Sequence, residues 1–290
     1  MVLSNELNLP QALVDACDVS PHNAPDTVSA TTLKSGVREI LLTKRHWEEL
    51  TDDVSNRIWQ LFGTAVHALL EKESANTFVE EKFEKQVGKY KVTGRLDCYD
   101  MKNGIIVDYK TATVWKYKFA DYSDWRFQGL VYAWLLKQQG LEVKECQFIM
   151  FFKDFSKTKA KLEADYPKRP VEVYRFKVTD KDLEEIEQKI ISKVKELEEN
   201  ELVADDDLPI CSDEERWAKP TTYAVMKKGR KTAIRVFEKE EDADLMLKDC
   251  DDNFFKQKRN GESSKCMGYC PCASYCSFAR SINESPNSQE

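Results

Sequence analysis

The most regular apolar spacing in the chain lies between Asp180 and Asn200. There Leu183, Ile186, Ile190, Val194 and Leu197 recur at intervals of three and four and mark the buried face of a helix. Thr179 stands at its N-cap with Asp182 three residues on, a weaker form of the capping box. A second helical pattern extends from Arg38 to Glu73, with Ile58, Leu61, Phe62, Ala65 and Leu69 on the expected buried stripe. Asp52 or Asp53 would cap it, and His67 and Glu71, four apart, share a face. The segment WRFQGLVYAWLLKQQG predicts a third helix through Leu136, with Gln128 and Tyr132 four apart.

Between these helices the period drops to two. In KVTGRLDCYD, Val92, Gly94, Leu96 and Cys98 alternate with Thr93, Arg95, Asp97 and Tyr99, and the apolar run of IIVDYK follows across Lys102-Asn103-Gly104. Asn-Gly between two such runs signals a hairpin. CQFIMFF and VEVYRFKV predict two further strands. TTYAVMKKGRKTAIRVF predicts a second hairpin, and EEDADLMLKDCDDNFF a helix. Helices and strands in this order make an α/β or α+β core. The expected organisation is an N-terminal arm over 1–36, a core over 37–200, an acidic linker around Asp205 leading into a cysteine-rich segment over 201–280 that packs on the core, and a disordered tail over 281–290.

The first hairpin carries a geometric consequence. If Lys102 and Asn103 form the loop, paired residue numbers sum to 205 and Asp97 faces Asp108; if Asn103 and Gly104 form it, the sum is 207 and Asp97 faces Lys110. In both registers Asp97, Asp108 and Lys110 share one face of the sheet. Two carboxylates forced together persist when a divalent cation neutralises them or when one is protonated. Oxygen ligands imply a hard ion, Mg²⁺ or Mn²⁺, with His67 biasing the choice towards Mn²⁺. Lys110 beside the ion would orient a water or stabilise charge developing on a phosphate. The plainer reading is a cross-strand ion pair in solvent.

Composition fits a folded chain with a substantial core and excludes several classes. Among 290 residues, 41% are hydrophobic and 33% charged, with 14 Phe, 11 Tyr and 6 Trp, too much aromatic mass for a disordered or collagenous chain. No apolar stretch approaches the ~20 residues of a membrane span, and the N-terminus lacks the pattern of a secretory signal. A cytoplasmic location is expected. The net charge is −7, so bulk charge gives no support to nucleic-acid binding. No G-x-S-x-G elbow or glycine-rich phosphate loop occurs among the 10 glycines. His22 and His46 are expected at the surface.

GRLDCYD followed by IIVDYK resembles the PD-(D/E)XK nuclease signature. HALLE before it and QGLVYAWLL after it resemble the flanking motifs of the RecB-like exonuclease branch. The resemblance runs from about Gly63 to Leu136 with the segments in family order. It implies a restriction-endonuclease-like core, a central mixed sheet flanked by helices. It further implies that His67, Asp97 and Asp108 bind the metal, that Lys110 assists catalysis, and that Gln128 and Tyr132 contact the site. The activity it implies is a metal-dependent DNA exonuclease in DNA end processing or recombination, of phage or prophage type, with a recombination or single-strand-annealing protein as a possible partner. The alternative class is a DNA-binding or assembly module with a structural metal site and little or no nuclease activity.

Nine cysteines without a signal peptide argue against a disulfide framework. Cys98 and Cys146 fall in expected strands as small core residues. Cys266, Cys270 and Cys276 resemble the C-terminal cysteine set of iron–sulfur nucleases in the same branch, which implies a four-iron cluster with four thiolate ligands. In those relatives the fourth ligand lies upstream, where this chain offers Cys17. Cys211, which opens the same C-terminal segment, is preferred, with Cys17 or Cys272 as alternatives. Structural zinc on Cys266, Cys270, Cys272 and Cys276 is the competing chemistry.

Overall fold

Residues 1–18, 26–70 and 77–283 are described by the structure, a computed structural model, and the chain divides into two units, Met1–Val203 and Ala204–Glu290. In the first unit the elements run β1 (Val2–Ser4), α1 (Gln11–Cys17), β2 (Thr27–Ser29), α2 (Val37–Arg45), β3 (Thr51–Asp53), α3 (Ile58–Leu70), β4 (Thr77–Val87), β5 (Tyr90–Asp100) and β6 (Ile105–Ala112). They continue with α4 (Val114–Phe119), α5 (Ser123–Gln138), β7 (Glu145–Phe152), α6 (Lys157–Leu162), β8 (Val171–Lys177) and α7 (Asp180–Asn200). The result is the expected mixed α/β fold, a six-stranded sheet flanked by helices, consistent with a restriction-endonuclease-like core.

β5 organises the sheet. β4 pairs antiparallel with it from Thr77↔Asp100 to Val87↔Tyr90 and so takes one edge along its whole length. The other edge is shared. β2 pairs in parallel at Lys91–Thr93 and β6 antiparallel at Cys98–Asp100, so neither strand pairs with the stretch between, Gly94–Asp97. From β6 the chain crosses through α4 and α5 to β7, which lies parallel to β6, and β8 closes the row antiparallel. Residues 1–36, expected as an arm, contribute β2 to this sheet, with Val28, Ala30 and Leu33 buried.

α7 forms as its pattern requires. The Thr179 side chain accepts from the Asp182 amide, Asp182 accepts from the Thr179 amide at 3.0 Å, and Leu183, Ile186, Ile190, Val194 and Leu197 are all buried against α5 and α2. Each such side chain contributes about 1.5–3 kcal/mol gross on leaving water. α5 is buried nearly all round from Gln128 to Leu136, the mark of a helix enclosed on several sides. Its approach to the sheet requires Gly94, because a Cβ there would lie 2.8 Å from both the Tyr132 ring and Leu135 Cδ1.

Three sequence expectations change. The single helix over Arg38–Glu73 is two helices, α2 and α3, separated by a turn and by β3, which pairs in parallel with β1. The break is polar: the Asp53 carboxylate takes the Ser4 hydroxyl at 2.8 Å and the amides of Glu6 and Ser55 at 3.0 Å, offering the backbone an alternative to helix. The buried stripe on α3 does not form, since Phe62, Ala65 and Leu69 are exposed while Ile58, Leu61, Val66 and His67 are half-buried. Glu71 lies outside the described residues, as do His22 and residues 284–290 of the expected tail; residues 281–283 are helical.

In the second unit, β9 (Ala218–Lys219), β10 (Thr222–Lys227), β11 (Arg235–Phe237), α8 (Glu240–Lys248), β12 (Phe254–Arg259), β13 (Glu262–Ser263), α9 (Ser264–Gly268) and α10 (Ser277–Asn283) follow the acidic stretch. β10 and β11 form the expected second hairpin, and β12 joins on the other edge of β10. The helix expected to run into Phe254–Phe255 stops at Lys248, because Asp251 starts a turn by accepting from the Asn253 amide at 2.8 Å.

Gly94→Ala overpacks the α5–β5 contact and is expected to cost about 1–3 kcal/mol in urea unfolding, with the midpoint lowered and the slope unchanged. An unchanged midpoint would contradict the close seating of α5 on β5.

Candidate active site

The β5–β6 hairpin takes the first of the two expected registers, in which paired numbers sum to 205, at Cys98↔Val107, Tyr99↔Ile106 and Asp100↔Ile105. The loop is longer than two residues. The Asp100 carboxylate accepts from the amides of Lys102 and Asn103, and Gly104, at φ 70°, closes the turn by donating to the Asp100 carbonyl at 2.8 Å. The ladder then opens one residue before Asp97 would pair with Asp108. In its place the Asp97 carboxylate accepts the Tyr109 amide at 2.7 Å, a side chain standing in for a strand.

Asp108 and Lys110 lie on the side of β6 covered by α5. Asp108 is buried at 1% exposure, paired in register with the equally buried Phe148 of β7. Its Oδ1 lies 2.7 Å from Lys110 Nζ, an ion pair, yet this oxygen accepts no well-aligned hydrogen bond. Gln128 of α5 ties the pair together: its Oε1 accepts from Lys110 at 3.1 Å, and its Nε2 donates to the Tyr132 hydroxyl at 2.7 Å and, more weakly, to Asp108 Oδ2 at 3.4 Å. Burial pushes the Asp108 carboxyl up to about 6, against the pull of the Lys110 ammonium, and the nearby Asp97 charge adds to the rise.

His67 approaches from the other side. Gly63 of α3 adjoins Thr111, and the His67 ring meets the Tyr109 ring edge-on at 6.4 Å, so α3 covers the side of β6 that carries Tyr109 and Thr111. His67 Nδ1 lies 3.2 Å from Asp97 Oδ1. That hydrogen bond raises the imidazole above its ordinary value, with burial opposing it. The opened ladder is thus where groups from the two faces of the sheet meet through Asp97. All six residues named from the sequence, His67, Asp97, Asp108, Lys110, Gln128 and Tyr132, stand around it.

Whether these residues suit a divalent ion turns on Asp108. A buried carboxylate oxygen without an aligned donor, next to a second carboxylate and an imidazole, is a donor set of the kind Mg²⁺ or Mn²⁺ takes. As placed, His67 and Asp97 touch each other and Asp108 faces Lys110, and among the described residues no three His, Cys, Asp or Glu side chains converge closely enough to hold an ion. The chemistry of the donor set fits, with Lys110 as the partner of Asp108.

Among the described residues no cysteines gather into a group that could hold a metal ion, so neither the cluster expected on Cys211, Cys266, Cys270 and Cys276 nor a zinc site on the four C-terminal cysteines is supported. Cys270 Sγ instead lies 3.6 Å from Cys272 Sγ, while Cys211 stands in a loop before β9 and Cys17 ends α1. Cys146 is a buried core thiol, as expected, and Cys98 is half-buried.

Sequence reasoning missed two participants, the Tyr109 amide and the Phe148 ring, which lies 5.7 Å from Lys110 Nζ. A backbone donor leaves no sequence signal, and Phe148 reads only as a strand hydrophobe.

Comparison with known proteins gives one assignment. The PD-(D/E)XK nuclease superfamily matches residues 22–277. Among solved structures, SSO0001 is 17% identical with a TM-score of 0.46, covering 66% of this chain and 85% of that one. An alkaline exonuclease (LHK-Exo) from Laribacter hongkongensis is 10% identical with a TM-score of 0.38, covering 60% and 89%. A phage-related exonuclease from Haemophilus somnus 129PT is 12% identical with a TM-score of 0.35, covering 64% and 85%. No curated protein matches the chain.

The raised Asp108 carboxyl predicts a pH-dependent stability. Between the ordinary 3.8 and about 6 the folded state binds a proton that the unfolded state releases, so this stabilisation is present below the ordinary value and is lost as pH rises through 6. In metal-free protein, Asp108→Asn removes that loss. Its stability relative to the parent is therefore expected to rise between about pH 4 and pH 7, by about 1–3 kcal/mol in denaturant titrations at the two values. A difference independent of pH would contradict the buried, proton-retaining Asp108.

Proposed function

This chain belongs to the PD-(D/E)XK nuclease superfamily, and on that premise we propose that it is a divalent-metal-dependent deoxyribonuclease acting at DNA ends. One observation carries the reading. A buried carboxylate, Asp108, is locked beside the ammonium of Lys110 at 2.7 Å and feels the charge of a second carboxylate, Asp97, which is fixed by a backbone amide. A structural ion pair gains little from such burial, since desolvation outweighs much of the attraction. A site that must concentrate charge on a phosphate benefits from it.

His67, Asp97 and Asp108 would hold Mg²⁺ or Mn²⁺, which when bound neutralises phosphate charge and acidifies water. Lys110, part-exposed at 22% of its side chain, orients the attacking water and balances negative charge developing on the phosphate. Gln128 fixes the Lys110 ammonium and reaches Asp108, so it acts as a positioning residue, and Tyr132 fixes Gln128 in turn. Asp97, held by the Tyr109 amide, orients the His67 ring.

The test uses end-labelled linear DNA and closed circles with Mg²⁺ or Mn²⁺. Linear DNA is expected to be degraded and circles spared, with all activity lost in EDTA. Asp108→Ala or Lys110→Ala is expected to lower the rate by at least ~10³-fold, and Gln128→Ala, which disturbs positioning alone, by ~10–100-fold. Cleavage of circles would make the protein an endonuclease with the same site. Full activity in Asp108→Ala would remove the site from the chemistry.

A further inference from the structure

Four large aromatic side chains of the first unit are held out in solvent beside the C-terminal end of β6. Trp59 and Phe62 of α3 are 57% and 55% exposed with ring centroids 5.6 Å apart. Trp115 and Phe119 of α4 are 58% and 73% exposed and stack on each other at 5.6 Å. Isolated exposed hydrophobes are ordinary, but two adjacent pairs on two helices are not.

Their position ties them to the site. Gly63, one residue after Phe62, adjoins Thr111, and α4 begins at Val114. Lys110 is therefore four residues from the start of α4, at most ~14 Å of chain. Lys153 joins the two pairs. Its amide donates to the Ala112 carbonyl at 2.9 Å, while its ammonium lies 4.3 Å from the centre of the Trp59 ring. The next residue, Asp154, accepts the Val114 amide that opens α4. The Lys118 ammonium lies 5.4 Å from the Trp115 ring centre.

Charge identifies the occupant. In a chain of net charge −7, α6, which begins five residues after the last residue of β7, carries Lys157, Lys159 and Lys161, all exposed, and no acidic residue. At the rings themselves the Lys153 ammonium stands over Trp59, while Lys118, over Trp115, is shared with the carboxylates of Glu163 and Asp165. A protein-binding patch is depleted of lysine at its centre. Rings interleaved with ammonium groups instead match a strand of bases and phosphates, in which bases stack on exposed π-faces and lysines neutralise the backbone.

We propose that Trp59, Phe62, Trp115 and Phe119, with Lys153, form a base-stacking platform that delivers single-stranded DNA to the β6 site. Hydrolysis of the delivered strand rests on the nuclease reading, whereas binding itself does not. Within a duplex the bases already stack on one another on both faces, so away from its ends duplex DNA has no free π-face to offer the rings. The strand that reaches Lys110 is therefore an unpaired one.

Fluorescence anisotropy in EDTA separates stacking from charge and binding from hydrolysis. The probes are a fluorescein-labelled oligothymidine and an abasic oligomer of equal length, which keeps the phosphates and lacks the bases. The intact protein is expected to bind oligothymidine at least ~5-fold tighter than the abasic strand for each ring engaged. Trp59→Ala/Trp115→Ala is expected to lose that preference, while Trp59→Phe/Trp115→Phe keeps most of it. Lys153→Ala is expected to weaken both strands alike and to flatten the salt dependence. Equal binding of the two strands by the intact protein would overturn the proposal, as would alanine variants that bind like the parent. So would a change of oligomeric state in the alanine variant without a change in preference, which would make the patch a contact between copies. Hydrolysis is scored separately. Preferential binding by a protein that hydrolyses no DNA keeps the platform and removes the nuclease reading.

Discussion

The site depends on a hydrogen bond that replaces a strand pairing. β5 and β6 pair up to Cys98↔Val107, and the next pair would set Asp97 against Asp108. Two carboxylates at that spacing repel, and directly opposed like charges destabilise a ladder. In the fold the strands part there, and the Asp97 carboxylate takes the Tyr109 amide that the ladder would have used. The backbone donor is satisfied and the carboxylate gains a partner. The gap that results admits His67 from one face of the sheet and the Lys110–Gln128 network from the other. The neighbouring strands make this possible: β4 holds β5 along its whole opposite edge, so β5 keeps its course while its inner edge is unpaired between β2 and β6.

Burial of Asp108 is the energetic counterpart. An ionised carboxylate at 1% exposure is costly, which is why its proton is held more tightly than usual. The Lys110 ammonium relieves part of that cost, Gln128 orders both, and the Phe148 and Trp125 rings stacked below exclude water. The aromatic floor belongs to the same βαβ unit that delivers Gln128, so the fold places the charge and its partners with one crossover. Gly94 is the steric condition for that crossover, because it lets α5 come close enough for Gln128 to reach Lys110 and Asp108 on β6.

Much of this was legible in the sequence, for identifiable reasons. The period-two pattern and the Asn-Gly turn constrained the hairpin to two registers, and either one gathers Asp108 with Lys110. α7, with its cap and stripe, matched residue for residue because a long amphipathic helix overdetermines itself. The opening of the ladder was not legible, since it arises from a side chain competing with the backbone. The apolar face of α3 misled: Phe62 and Leu69 have the spacing of core residues and stand in solvent. Periodicity reports that a helix has an apolar face, not what covers it. The cysteine spacing is likewise a local pattern, which does not fix how four side chains converge in space.

The central claim is that Asp97 and Asp108 form a cation site at the opened ladder. Isothermal titration of Mn²⁺ into the protein, without DNA, tests it most directly. A saturable site is expected in the intact chain and its loss in Asp108→Ala, with the fold of the variant checked by circular dichroism. Undiminished Mn²⁺ binding by a folded Asp108→Ala would contradict that claim.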